Sequence, residues 1–207
     1  VILLAALLTA AAMPPAPPIE RHHIDMDAKR RREMRAYSKR HYGYASARLH
    51  PRVIVEHIAV AGTWRAVYNT FAPDVPDGEL GELPGLCSHY VISEAGKVIE
   101  LVPPRLRCRH TVGLNHVAIG IEHVGYTDGD VLHNRKRLRA SLRLTAWLRC
   151  RYGIPLEDVI GHSESLSSPY HRERVKRLKR QTHGDWSHAS MKVYRRRLAR
   201  RPCEATG

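Results

Sequence analysis

Several common classes are excluded by what this 207-residue chain lacks. Aromatic residues are scarce, at 6% with a single phenylalanine, and none is interleaved with the basic runs as an RNA-binding surface requires. The four cysteines, Cys87, Cys108, Cys150 and Cys203, include no CxxC pair, which argues against a cysteine zinc knuckle. No internal repeat is present. Long apolar runs are also missing apart from Val1–Ala12, which is too short to cross a bilayer, so no stable membrane anchor is expected. Acidic residues are in deficit, 20 against 34 Lys+Arg, leaving a formal charge of +14.

What is present suggests one domain with a short extra segment. Val1–Ala12 is rich in Leu and Ala, and Met13-Pro14-Pro15-Ala16-Pro17-Pro18 follows at once. The pattern reads as the h-region of a secretory signal peptide whose start is missing, with Thr9–Ala12 as a small-residue cleavage site. A buried N-terminal helix is the alternative. Residues 1–18 are therefore assigned to leader and junction, 19–50 to a basic helical segment, 51–200 to the main domain and 201–207 to a tail. An oxidising compartment suits a disulfide between Cys87 and Cys108. Cys150 with Cys203 would tie the tail to a helix, but free thiols serve equally well there. The basic runs Lys29–Arg32, Arg135–Arg139 and Arg195–Arg201 make nucleic acid the reflex partner. For a secreted chain, anionic wall polymers are the more economical one, and a solvated arginine surface without a specific partner is the alternative.

Periodicity gives a mixed set of elements. Asp27 through Tyr42 predicts a basic surface helix, loosely packed because its apolar positions are few. Val53–Ala61 reads as a buried strand. Residues 62–86 read as an irregular loop with one helical turn near Trp64–Thr70. Ser88–Ser93 and Val98–Val102 flank a glycine turn as a hairpin, and His116–Val124 is a further strand. Asn134–Tyr152 predicts a helix stopped by Gly153 and Pro155. A short strand then ends at His162, and Ser168–Lys179 and His188–Arg200 predict helices. Such an order points to the α/β class, a single mixed β-sheet flanked by helices.

Three separated fragments carry candidate chemistry. His57 sits within an apolar strand, His162 follows a strand and a glycine, and His183 and Asp185 lie in Thr182–Trp186. Two imidazoles and a carboxylate make an open zinc site with a water in fourth position. Glu122, on another apolar run, could move the protons. A histidine in a strand is more often a satisfied core residue, and with 14 histidines any pair alone carries little weight.

Taken together, Val55-Glu56-His57, Cys87–Val98, Arg109–Gly113, Asn115 with Ala118–Glu122, and Val159–Glu164 resemble the type-2 zinc N-acetylmuramoyl-L-alanine amidases, which share their fold with the peptidoglycan recognition proteins. The order matches over residues 53–186. The resemblance implies a Zn2+ enzyme that cuts the amide between N-acetylmuramic acid and L-alanine in bacterial peptidoglycan, secreted and monomeric. It implies His57 and His162 as zinc ligands and Glu122 as general base and acid. His110 falls in the substrate-groove segment, and His89 and Asn115 take structural or substrate-lining positions. Arg109 stands where the family has tryptophan, and Thr111-Val112 where it has alanine. The third ligand departs further: a basic helical insertion, Ser168–Arg180, separates His162 from Asp185, and Trp186-Ser187 follows instead of Pro-Gly. Asp185 is assigned as ligand, with His183 in the place of the family's lysine, where an imidazole can hold an oxyanion. His183 as ligand with Asp185 orienting it is the alternative, and His171 is a further candidate. Two other readings stay open: a binder of muropeptide that does not cut, and a basic nucleic-acid-binding protein.

Overall fold

The computed structural model describes residues 13–203; the apolar run Val1–Ala12 read as a leader lies outside the described residues. Among the described residues, six strands form one mixed sheet in the order β1-β4-β3-β5-β2-β6. They are β1 (Ile19–Arg21), β2 (Val53–Ile58), β3 (Tyr90–Ile92), β4 (Val98–Glu100), β5 (Ala118–His123) and β6 (Val159–Gly161). Only β3 and β4 pair antiparallel, as the predicted hairpin. The α-helices of the described residues are α1 (Ala28–Tyr42), α2 (Trp64–Phe71), α3 (Asp128–Leu132), α4 (Arg135–Tyr152) and α5 (His188–Leu198). The chain is of the α/β class. Among the described residues no helix is long and apolar enough to cross a membrane.

Central strands β2 and β5 are buried along their whole length because both faces of the sheet are covered, which is why they read as near-continuous apolar runs. Side chains alternate between faces, so β2 sends Ile54, Glu56 and Ile58 one way and Val53, Val55 and His57 the other. The first set packs with α4 and α5 through Leu142, Leu148, Met191, Tyr194 and Leu198. The second set faces loops, where Val53 and Val55 meet Leu114, Ala118 and Ile160. The register pairs His57 with Glu122, placing both on the loop-covered face.

Local signals set several boundaries. Asn134 caps α4 by accepting from the Lys136 and Arg137 amides, and Gly153 closes it in the left-handed region at φ 63°. Asp27 caps α1 by accepting from Arg30 N. Disulfides link Cys87 to Cys108 and Cys150 to Cys203.

Four predictions need correction. Helix α1 is not loosely packed: Arg30, Met34, Tyr37, Ser38, His41 and Tyr42 form a buried face. Its burial rests on polar tips that find partners, so counting apolar residues missed it. The Arg30 guanidinium donates to the carbonyls of Phe71 and Leu86, each at 3.0 Å, and His41 Nδ1 lies 2.8 Å from Glu173 Oε2. The predicted helix Ser168–Lys179 is instead irregular, with one 3-10 turn at Lys176–Leu178. Pro169 disfavours helix in the residue before it, and the following amides go outward, Arg172 N to Gly113 O and Arg174 N to His41 O. Residues 19–50 are also not helical throughout, since β1 pairs in parallel with β4 at the sheet edge. The one turn expected near Trp64–Thr70 is the two-turn helix α2, capped by Thr63.

Candidate metal centre

At the end of β2 and the start of the turn after β6, His57 and His162 approach Asp185. Each of the three offers a ligand atom, and these atoms lie within 4.8 Å of one another. His57 Nδ1 is 3.7 Å from Asp185 Oδ2, and His162 Nδ1 is 3.6 Å from Asp185 Oδ1. Four-coordinate zinc with arms of about 2.0 Å separates its ligands by roughly 3.3 Å, so a small contraction would close the site. The donor set fits: burial first, then neighbouring histidine charge, holds His57 well below the usual imidazole range and His162 down to about 3. Both are therefore neutral, as metal ligation requires. His162 Nε2 is buried without a protein partner.

A second layer orients the first. His110 Nε2 lies 3.2 Å from the Ala118 carbonyl, which can only accept, so that nitrogen carries the proton and Nδ1 is left as an acceptor. His57 Nε2 lies 3.1 Å from this His110 Nδ1 and can donate to it, which turns the lone pair on His57 Nδ1 toward Asp185. A glycine at 120 is needed for this arrangement, because a Cβ there would stand 2.7 Å from the His110 ring. Asn115 fixes the same loop by accepting from the amides of His110 (2.9 Å) and Thr111 (2.7 Å), and it donates to Tyr37 Oη.

Asp185 is set by its neighbours in sequence. Its Oδ2 accepts from Ile58 N at 3.0 Å, and its carbonyl accepts from Ser163 N. Trp186, standing where Pro-Gly was expected, is fully buried between His123 and Tyr194 and pins the segment to the helix side of the core. Gly161 passes against Trp186 with no room for a side chain.

Glu122 is 7% exposed, and its carboxyl is pushed up to about 8 by burial and then by the charge of Asp185. It lines a cavity of about 140 Å³ with His110, His162, Asn115 and His183. His183 stands at the mouth, outside the three-ligand group, with Nε2 3.2 Å from Glu79 Oε2 and 2.9 Å from Gln181 Nε2. His171 packs against Gly113 instead. His89 does not reach the cavity: Nε2 is engaged with Leu106 O and Nδ1 accepts from Gly120 N.

Sequence reasoning missed the outer wall, the loop carrying Asp77, Glu79, Leu80 and Leu86. Arg109, the residue in the tryptophan position, lines the cavity and also braces this loop with a 2.6 Å contact to Asp77 Oδ2. Nothing local announces a wall contributed from thirty residues away.

The sequence pattern of the N-acetylmuramoyl-L-alanine amidase family matches residues 46–176. No curated protein matches the chain. Among solved structures, the chain is similar to the endolysin amidase LysCS from Clostridium intestinale URNW, at 18% identity and TM-score 0.52, covering 73% of this chain and 84% of that one. It is also similar to a mutant endolysin from Bacillus subtilis, at 14% identity and TM-score 0.52, covering 87% and 98%. A selenomethionine derivative of AmpD gives 17% identity and TM-score 0.53 over 90% and 97%. At these identities the structures speak for the fold, while the family pattern spans more than half of the sequence: the chain belongs to the N-acetylmuramoyl-L-alanine amidase family.

Proposed function

We propose that the protein uses zinc, held by His57, His162 and Asp185, to hydrolyse the amide between N-acetylmuramic acid and L-alanine in bacterial peptidoglycan. The observation that carries the zinc-dependent reading is the convergence of two neutral imidazoles and a carboxylate beside a buried glutamate. Bound there, zinc supplies a Lewis acid that lowers the pKa of a coordinated water toward about 7 and a positive charge that draws Glu122 toward its ionised form. Glu122 takes a proton from the attacking water and returns it to the departing amine of L-alanine. His183, half-exposed at the cavity mouth, donates to the oxygen that gains charge as the carbonyl becomes tetrahedral. His110 holds the His57 tautomer, and Asn115 holds the loop that carries His110.

A muropeptide binder that does not cut would be expected to lack a ligand, whereas all three candidates meet here. Two disulfides and action on the wall support an extracytoplasmic location. The test is digestion of purified walls with zinc-loaded protein, followed by mass spectrometry and labelling of new amino termini. Release of peptides beginning with L-alanine is expected, abolished by chelation and in Asp185→Ala. Binding to walls with no new amino termini would overturn the catalytic reading.

A further inference from the structure

We infer that the outer face of α4 is a docking site for a linear phosphodiester polymer of the cell envelope, separate from the catalytic groove. The inference rests on the proposed action at the wall. Arg135, Lys136, Arg139 and Arg143 line a cleft of about 500 Å³ together with Gly96 and Ala140. All four cations are exposed. Lys97, which lines a neighbouring cavity, is paired with Glu20 at 2.7 Å, whereas these four form no ion pair within 4.0 Å among the described residues. In contrast, Arg137 on the same turn spends its guanidinium on the carbonyls of Glu94 and Val124.

The spacing is regular. Arg135, Arg139 and Arg143 recur every four residues, about 6 Å apart along the helix axis. Like charges at that spacing repel each other and weaken the helix. Among the described residues no carboxylate lies within 4.0 Å of them to offset that repulsion; a chain of regularly spaced phosphates would. Position separates this face from catalysis: α4 packs on the side of the sheet that receives Ile54 and Glu56, with Thr145 of α4 donating to Glu56 at 2.9 Å. His57 and Glu122 face the other side.

Other anionic surfaces fit less well. No large apolar side chain of α4 is exposed, so the helix has nothing to insert into a bilayer. The cleft lining includes no aromatic residue on which unpaired bases could stack. A polymer attached to the wall would hold the enzyme beside its insoluble substrate while leaving the groove free.

The test compares the zinc-loaded parent protein with R139Q/R143Q for binding to poly(glycerol phosphate) across a salt series. The double variant should lower affinity on the order of tenfold near physiological salt and reduce the log–log salt slope by about 1.5, near 0.7–0.9 per lost phosphate contact. R139K/R143K, which keeps the charge, should restore most of the affinity and controls for folding, with thermal melts alongside. K192Q/R196Q on α5 should leave binding unchanged. Turnover of a soluble muropeptide should be equal in all variants; its absence from the parent would count against the catalytic reading, not this site. On walls, R139Q/R143Q should be slowed only where the phosphate polymer has not been stripped off. Equal polymer affinity in R139Q/R143Q, or an equal loss in K192Q/R196Q, would overturn the site. Duplex DNA or anionic phospholipid vesicles that bind as tightly, with the same dependence on Arg139 and Arg143, would overturn the choice of occupant.

Discussion

Replacing Glu122 by glutamine should inactivate the protein while making its metal-free form more stable. The side chain is 7% exposed, and its carboxyl is raised from 4.5 to about 8, by burial first and by Asp185 second. In the unfolded chain the same carboxyl ionises near 4.3. Between those values the unfolded state releases a proton that the folded state keeps, so stability falls as pH rises from about 4.5 to 8. A rise of roughly 3.5 units at about 1.4 kcal/mol each sets an upper bound near 5 kcal/mol. Glutamine does not ionise, so E122Q should gain at least ~2 kcal/mol over the parent at pH 8.5 in urea unfolding with chelator. The gain should fall to roughly 0.2 kcal/mol at pH 4, where the carboxyl is protonated in the folded chain and mostly so in the unfolded one. Loss of general acid–base catalysis costs about 10²- to 10⁴-fold in kcat, or roughly 3–5.5 kcal/mol of barrier, read as amine release from wall fragments. Zinc content should stay at the parental level, because Glu122 is outside the ligand group. An E122Q protein that keeps more than a tenth of the parental rate, or shows the same stability difference at pH 4 and pH 8.5, would refute the reasoning.

Asp185→Ala should lose bound zinc after dialysis, measured by atomic absorption, and with it all turnover; His183→Ala should keep the metal and lose rate only. His41→Gln should cost about 3–5 kcal/mol, the usual penalty for breaking a buried ion pair, since His41 is fully buried between Glu173 (2.8 Å) and Glu82 (3.0 Å). Burial alone would lower the His41 pKa, but hydrogen bonding to Glu173 and Glu82 outweighs it and raises it. The stabilisation should therefore be full below about pH 6.5 and fade as pH rises through the folded value. On the acid side it should fade as Glu82, whose pKa His41 draws down against burial, becomes protonated. Urea unfolding at pH 5.5 and 9 should show the larger deficit at pH 5.5. Removing the Cys150–Cys203 link, which spans 53 positions, should cost about 4 kcal/mol on chain-entropy grounds, seen as a lower urea midpoint in C150S/C203S.

Legibility varied with the range of the interactions involved. Helix α4 could be read from its own residues because Asn134, Gly153 and Pro155 act within one turn of its ends. The hairpin of β3 and β4 was visible for the same reason. Strand β1 was not, since three residues, Ile19-Glu20-Arg21, hold no pattern and are a strand only by pairing with β4. The burial of α1 was hidden because its partners, Glu82 and Glu173, come from loops 41 and 132 residues away from His41. Ser168–Lys179 misled through composition: helix-forming residues outvoted Pro169, and no periodic apolar face existed to hold a helix in place.

The site divides in the same way. By themselves, the residues determined the available chemistry: a strand histidine, a histidine after a glycine, a glutamate in an apolar run, and a choice between His183 and Asp185. Sequence order determined which family they resemble. Only the tertiary structure brought Asp185 within ligand distance of both His57 and His162. Asp185 accepts from Ile58 N while Trp186 fills the opposite face of the core, and His183, two residues earlier, stays at the rim beside Glu79. Likewise only packing made Arg109 a brace and left the cations of α4 facing outward. A side chain's type is local, but its protonation, its partner and the face it presents depend on which distant segments exclude water from it.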